Sequence, residues 1–332
     1  MKYFILILSF FFLSHTIGAQ ELFPLNESAS TVPKGVFGVR TIGETYNEVG
    51  VWRKMLALRL MYGLTPKLTI EATASITNHH NTELPSNLVT HTHYGNNTSY
   101  FTSAIPRGLT YPYIFGKGVD FYAKYRLLSL DGQNEHFRVA LNGEYSFVNV
   151  AHDETEPNLL DDTKGWSGGL IVTWLKNKFA VSLNAAAIFP GSYSETDYTP
   201  VYTVHYNTYQ VMYGNALQYD LSFGYLLYPR EYTDYQESNW NIYVEFQGKS
   251  YNTAQVIQDG VTIAVETDAL KAGYYVNFCP GIQKIYNSNL RIDFSMGFQM
   301  INRSYVYFYP IYTVGIQRYF FPRTHSKVNS LL

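Results

Sequence analysis

Two sets of side chains in this sequence could do chemistry, and the first is a group of histidines. The stretch TNHHNTELPSNLVTHTH, residues 77–93, contains His79, His80, His91 and His93, out of 9 histidines in the chain. Imidazole nitrogens bind Zn²⁺ and Cu²⁺, and His91 and His93 point the same way if the stretch is extended. A surface zinc or copper site is one interpretation, and solvated histidines in a polar loop are the other.

The second set consists of charged residues at alternate positions within apolar stretches. In KLTIEATASITN, residues 67–78, Glu71 lies opposite a face of Leu, Ile and Ala, and HFRVALNGEYSFV, residues 136–148, places Arg138 and Glu144 in the same way. Successive side chains of a strand point to opposite faces, so these charges share one face. The charged residues predicted to face inward are Arg40, Arg53, Arg59, Glu71, Lys124, Arg126, Arg138, Glu144, Asp220, Glu245, Lys249, Lys271, Arg291 and Asp293.

The elements that must position these charges are long amphipathic strands. Alternation recurs from residue 35 to residue 321 in stretches of ten or more residues. Soluble strands average ~5–6 residues, whereas a tilted strand needs ~9–11 residues to cross a bilayer. The composition agrees, because aromatic residues reach 17% and charged residues only 15%. We therefore predict an all-β fold, an antiparallel transmembrane β-barrel of about twelve strands.

The connections between the predicted strands sort into short and long ones. Outer-membrane barrels have short periplasmic turns and longer outer loops, so this sorting favours a barrel over a soluble sandwich. The predicted periplasmic turns are 64–67, 130–135, 175–178, 228–238 and 285–289. The predicted long outer loops are 78–117, 150–164, 190–213 and 250–268, and two further outer connections, 43–51 and 301–304, are short.

The two ends of the chain predict the export route and the domain limits. The first residues combine Lys2, an apolar run and small residues before Gln20, which is typical of a secretory signal peptide. The last predicted strand, YTVGIQRYFF, resembles the signal that the barrel-insertion machinery reads. We therefore expect the protein to lie in the outer membrane, to contact its lipid and to be inserted by that machinery. The predicted domains are a signal peptide at 1–19, a periplasmic segment or plug at 20–34, a barrel at 35–321 and a periplasmic tail at 322–332.

Three stretches carry a resemblance to a known family. QELFPLNESASTVPKGVFGVR, residues 20–40, resembles the start of a family of Bacteroidota outer-membrane β-barrel proteins. Residues 121–140 and 223–248 are similar to later strand–turn–strand units of the same family. The resemblance implies a barrel, an envelope location and a transporter whose mechanism is unassigned, sometimes linked to metal efflux. It does not extend into 78–117 or 190–213.

The predicted lumen charges allow two functions. Opposite charges across a narrow lumen could form a conduit that selects small polar solutes or ions. They could equally bond to one another and close the barrel, which would leave a surface binding or structural protein. Residues 20–34 are either a periplasmic lead or a plug inside the lumen.

Other function classes have less support in the sequence. An outer-membrane lipid hydrolase needs a base in contact with its nucleophile, and Asn78, His79 and Ser99 are the nearest candidates, all in a predicted loop. We therefore predict no enzyme, no catalytic residue and no cofactor beyond the surface Zn or Cu considered above. The net charge of −2 and the absence of a basic patch argue against a nucleic-acid partner. The expected ligand is a small polar solute or ion.

Overall fold

The structure is a computed structural model that describes the chain between residues 23 and 322 with internal gaps. The described ranges are 23–48, 50–78, 119–147, 154–160, 163–201, 203–229, 237–265, 267–305 and 309–322, and between 195 and 207 only the backbone is described. The strands in this part of the chain are β1 (Phe37–Glu48), β2 (Val51–Thr65), β3 (Leu68–Thr77), β4 (Asp120–Asp131), β5 (Glu135–Ser146), β6 (Gly165–Lys176), β7 (Phe179–Pro190), β8 (Tyr193–Val201), β9 (Thr203–Met212), β10 (Ala216–Tyr228), β11 (Asn239–Tyr251), β12 (Gln255–Gln258), β13 (Val261–Ile263), β14 (Gly273–Tyr286), β15 (Leu290–Asn302) and β16 (Ile311–Phe320).

Twelve of these strands close into one antiparallel barrel. Around the wall the order is β1, β16, β15, β14, β11, β10, β7, β6, β5, β4, β3 and β2. The first and last strands close the wall, with Phe37 of β1 opposite Phe320 of β16. The prediction of an antiparallel barrel of twelve strands is confirmed.

The barrel wall has an apolar outer face and a polar inner face, as β2 illustrates. Leu56, Leu58 and Leu60 are 48%, 48% and 42% exposed, whereas Ala57 between them is fully buried. A continuous exposed apolar band is stable only when another apolar phase covers it. The strands that carry the band are 10 to 15 residues long. The outer face therefore fits the hydrocarbon core of a bilayer.

Exposed aromatic side chains mark both rims of this band. Trp52 and Trp166 lie at the rim that carries the long connections, and Trp240 and Phe320 lie at the rim that carries the short turns. Aromatic girdles of this kind sit at the two interfaces of a membrane. We call the rim with the long connections the outer rim and the other the periplasmic rim.

A second, smaller sheet rises from the outer rim. Its four strands are ordered β13, β12, β9 and β8, and they lie in 190–213 and 250–268, which were predicted as loops. That part of the prediction is wrong. Its inner side is a cluster of buried residues that includes Val211, Val256 and Leu270. The two long connections therefore pack on each other instead of extending separately into solvent.

Helix is confined to one turn in the part of the chain that the structure describes. This 3-10 turn, η1, spans Asp268–Leu270 and follows the second sheet. No helix among the described residues has the length and apolar character needed to cross a membrane.

Candidate functional site

Residues 23–36 run through the interior of the barrel before the chain enters β1, and we call them the plug. Phe23 and Ala29 are fully buried, and Phe23 packs edge-to-face on Tyr243 of β11 with ring centroids 5.7 Å apart. The sequence left a periplasmic lead and a plug as alternatives for 20–34, and the described part of that segment lies inside the barrel. The lumen therefore contains a length of irregular chain that is neither helix nor strand.

The first part of the plug is held by a carboxylate of the wall. The amide nitrogens of Leu25 and Asn26 donate to the two carboxylate oxygens of Glu245, at 3.1 and 2.9 Å. The Asn26 side chain donates to the Ser222 hydroxyl at 2.6 Å. Glu245 is fully buried, so these donors supply the hydrogen bonds that a buried carboxylate needs.

Further along, threonine hydroxyls of the wall bind the plug backbone. The amide nitrogen of Ala29 donates to Thr173 Oγ1 at 2.8 Å, and that of Val32 donates to Thr69 Oγ1 at 2.8 Å. Thr173 lies on β6 and Thr69 on β3. The plug is therefore bonded to several strands around the barrel rather than to one wall.

Glu27 is the charged centre of the plug. Its carboxylate oxygens lie 3.1 Å from Arg59 Nη1 and 2.7 Å from Lys124 Nζ. Burial by itself would raise the pKa of Glu27, but the positive charges of Lys124 and Arg59 outweigh that effect and lower the pKa to about 2. Glu27 lies on the plug, which is not a membrane-spanning strand, and it is ionised at neutral pH.

The plug crosses β2 at Gly63 with no room for a side chain. A Cβ atom at Gly63 would lie 2.0 Å from the carbonyl oxygen of Pro33 and 2.6 Å from that of Val32. The Gly63 carbonyl also accepts the amide hydrogen of Gly35 at a donor–acceptor distance of 2.8 Å. Glycine is required here because the backbone of the plug occupies the position of the missing side chain.

The outer half of the lumen is covered by residues 154–160, from the connection between β5 and β6, and we call them the outer loop. Lys249 Nζ of β11 donates to Glu156 Oε1 at 2.9 Å and to the carbonyl oxygen of Pro157 at 2.8 Å. The Tyr275 hydroxyl also donates to Glu156 Oε1, at 3.1 Å. The outer loop is therefore anchored on β11 and β14.

The opposite end of the outer loop reaches the other wall. The Ser75 hydroxyl of β3 donates to the carbonyl oxygen of Leu160 at 2.7 Å. Leu159 is buried in a cluster with Ile188, Ala216 and Tyr251. The outer loop therefore crosses the lumen below the outer rim.

A cavity of about 310 Å³ lies between the plug and the outer loop, and we call it the chamber. Pro24 and Leu25 of the plug form part of its lining. Its charged lining residues are Arg40, Glu44, Arg53, Arg59, Glu154, Glu156, Asp220 and Lys249. The chamber is therefore a polar compartment with equal numbers of basic and acidic side chains.

The structure distributes the predicted lumen charges among three locations. Those that contact the plug are Arg40, Arg59, Lys124, Arg138 and Glu245. Those that line the chamber without a described contact to the plug are Arg53, Asp220 and Lys249. The remaining ones bond to the barrel itself. Glu71 lies 3.5 Å from Arg59, Arg126 donates to the Pro66 carbonyl oxygen, and Glu144 accepts from the Ser167 hydroxyl. Arg291 and Asp293 form an ion pair with each other.

Lys271 does not belong to the lumen, and its predicted inward position is wrong. It follows η1 and precedes β14, which begins at Gly273. Its ammonium group pairs with the Asp268 carboxylate at 2.6 Å, and both side chains are more than half exposed. The predicted outer loop ended at residue 268, so the alternating pattern was extended four residues too far, into the outer connection.

The histidine cluster lies outside the described residues, since it comprises His79, His80, His91 and His93. Among the residues that are described, no group of three or more His, Cys, Asp or Glu could hold a metal ion.

Asn78, one of the hydrolase candidates, bonds to the edge of β2. Its side chain accepts from the amide of Lys54 at 2.7 Å and donates to the Trp52 carbonyl at 2.9 Å.

Several residues of the site were not singled out from the sequence. Glu27, Gly63 and Glu156 each make a contact that closes the lumen. Glu27 had a usable signal, because it is the one acidic residue between 23 and 36, and a plug formed by this stretch would meet several inward basic residues. Nothing in the local sequence marks Gly63 or Glu156.

Comparisons with known proteins give a likeness in fold. No protein-family model matches the chain, and no curated protein matches it. A crystal structure of an outer membrane channel from Pseudomonas putida F1 is similar at a TM-score of 0.49 and 14% identity, covering 90% of this chain and 100% of that one. The NanC porin gives a TM-score of 0.41 and 8% identity, covering 86% of this chain and 100% of the porin chain. The KdgM porin gives a TM-score of 0.37 and 8% identity, covering 85% of this chain and 98% of the porin chain.

Proposed function

We propose that the chain forms an outer-membrane channel for small polar solutes or ions, closed at rest by the plug. The observation that carries this proposal is the chemistry of the plug's attachment. Wall side chains such as Glu245, Thr173 and Thr69 hold the plug by hydrogen bonds to its backbone. Each such bond contributes about 0.5–1.5 kcal/mol net, or about 1.5–3 kcal/mol where the acceptor is the charged Glu245, because water can take the place of a lost partner. The plug is therefore held by many contacts that water can replace.

The chamber supports the same function. It joins the plug to the outer loop, and its basic and acidic side chains suit a polar solute better than an apolar one. Its volume of about 310 Å³ corresponds to a small molecule. We propose that a solute entering below the outer loop passes through the chamber and leaves along the path that the plug occupies.

The proposal includes the location and route of export. A signal peptide at 1–19 would direct the chain across the inner membrane, and the apolar band would then contact outer-membrane lipid after insertion by the barrel-insertion machinery. We further propose that the chain belongs to the Bacteroidota barrel family that it resembles and that its solute is linked to metal transport. Capture of Zn²⁺ or Cu²⁺ by the loop histidines would be a separate surface property.

Planar-bilayer recording of a plug-deleted variant tests the function. Removal of residues 23–33 should give frequent, stepwise, ion-selective conductance, whereas the wild type should be closed with rare openings. Lys34→Ala is the matched control, because Lys34 is exposed and its substitution should leave the wild-type behaviour unchanged. A plug-deleted barrel that folds and stays silent would contradict the channel.

A second candidate is a closed barrel that serves as a surface binding or structural protein. The second sheet favours it, because four strands with their own buried cluster extend from the outer rim. A silent plug-deleted barrel would support this candidate.

A further inference from the structure

We infer that the plug occupies a binding site for small monocarboxylates, in which the side chain of Glu27 stands in for the carboxylate of a solute. Arg59 and Lys124 form the site. The inference rests on the proposed channel function, since it names the class of solute that the channel would admit. It makes the plug a competitor of that solute.

The geometry at Glu27 is that of a bound carboxylate. Each oxygen meets a different cation, with Arg59 Nη1 at 3.1 Å from Oε1 and Lys124 Nζ at 2.7 Å from Oε2. Arg59 Nε lies 3.3 Å from Thr73 Oγ1, which helps to fix the guanidinium plane. Charge-assisted bonds to both oxygens give a strong and oriented contact.

The two cations belong to the wall and stay in place when the plug leaves. Arg59 lies on β2 and Lys124 on β4, with β3 between them. Lys124 is 1% exposed while the plug is seated. Departure of the plug removes the Glu27 carboxylate from both cations at once and opens the space beside them. A solute carboxylate would restore that contact.

The surroundings select a group with one negative charge. Glu71 Oε2 lies 3.5 Å from Arg59 Nε, so the site already contains one wall carboxylate beside its two cations, and that carboxylate would repel a second negative charge on the ligand. Glu245 binds the two amide groups that precede Glu27 in the plug. A solute with one carboxylate and nearby N–H or O–H donors would reproduce both sets of contacts.

Hydrogen exchange of the plug amides tests the site without measuring transport. Glu27→Ala should accelerate exchange of the amides of residues 25–32 about tenfold or more, because two charge-assisted bonds are lost. Sodium acetate should slow that exchange again by filling the space of the missing carboxylate, and sodium chloride at equal concentration should not. Glu27→Gln keeps the space filled, so acetate should not slow exchange there. Lys124→Met added to Glu27→Ala should abolish the acetate effect.

Equal effects of acetate and chloride, or an acetate effect that survives Lys124→Met, would overturn the inference. If Glu27→Ala does not fold, the wild type decides, because acetate should compete with Glu27 and accelerate plug exchange beyond what chloride does. Absence of that difference would equally overturn it. If the plug-deleted barrel shows no conductance but plug exchange depends on acetate, the channel function is rejected and the carboxylate site is supported.

Discussion

The plug and the outer loop close the same lumen through different attachments. Backbone groups all along the plug bond to the wall: its N–H groups donate to Glu245 and Thr173, and its carbonyl oxygens accept from Arg40 and Lys124. The outer loop offers acceptors, the Glu156 carboxylate and backbone carbonyls, and the wall answers with donors such as Lys249 and Tyr275. The plug is therefore held through its backbone by several strands, whereas the outer loop depends on a few side chains.

This difference determines how each closure can be broken. Substitution of one plug side chain leaves the backbone donors in place, so it should loosen the plug only partly. Substitution of one wall donor, Lys249, removes two bonds of the outer loop. Displacing the plug requires an obstacle in its path, and Gly63 is where the wall can supply one.

The largest effect is expected from Gly63→Val. A side chain at this position would overlap the carbonyl oxygen of Pro33, whose distance from a Cβ at Gly63 is 2.0 Å. The plug must then move, and bilayer recordings should show conductance close to that of the plug-deleted barrel. Gly43→Val is the matched control on the neighbouring strand, because the nearest atom to its Cβ is the Val314 carbonyl oxygen at 4.0 Å. A Gly63→Val barrel that stays closed would disprove the blocking role of the plug.

A smaller and more local effect is expected from Lys249→Met. The outer loop should lose about 1.5–3 kcal/mol of local stability, because bonds to a charged donor are removed. Hydrogen exchange or limited proteolysis of residues 154–160 should be faster. Bilayer recordings should still show a closed channel, because the plug is unchanged. Lys176→Met is the control, since Lys176 and its partner Glu135 are both about half exposed and such a surface pair contributes little. Opening of the channel in Lys249→Met would instead make the outer loop the main closure.

The smallest effect concerns acid. The pKa of Glu27 is lowered from 4.5 to about 2 in the folded protein. The stabilisation from its ion pairs is therefore complete above pH 4.5 and is lost as the pH falls towards 2. Opening frequency should be the same at pH 7 and pH 5 and should rise only in stronger acid. A rise between pH 7 and pH 5 would show that another group controls the plug.

The barrel could be predicted from the sequence because its rule is local. Inward and outward side chains alternate residue by residue, so stretches such as KLTIEATASITN show their two faces without knowledge of the rest of the chain. The periplasmic turns were also found, because each lies between two alternating stretches. Lys271 was misplaced where the pattern ran past the true start of β14.

The second sheet was missed although part of it had a local signal. Asp259-Gly260 separates β12 from β13 between β-branched residues, and both have positive φ, 48° and 80°. An Asp-Gly pair in that setting is a strong hairpin signal, since both central residues of the turn need positive φ. In the partner hairpin, Pro200 near the end of β8 obscured the strand pattern.

The seating of the plug could not be predicted from local pattern. Leu25 and Glu245 are 220 positions apart in the chain, and nothing near either residue specifies the other. The same holds for Glu156 and Lys249, which are 93 positions apart. Local alternation therefore indicates which charges face inward within a strand, although it misplaced Lys271, but it does not indicate the segments that fill the space between them.

The central claim, that the plug closes the path that ions take, can be tested with a disulfide between plug and wall. The amide nitrogen of Ala29 lies 2.8 Å from Thr173 Oγ1, which brings the two Cα atoms near the separation of about 4.4–6.8 Å that a disulfide spans. Ala29→Cys and Thr173→Cys would be combined in a Cys279→Ser background. Single-channel recording should show no openings in the oxidised protein and, after reduction, openings at least as frequent as in the wild type. Equal conductance before and after reduction would contradict the claim.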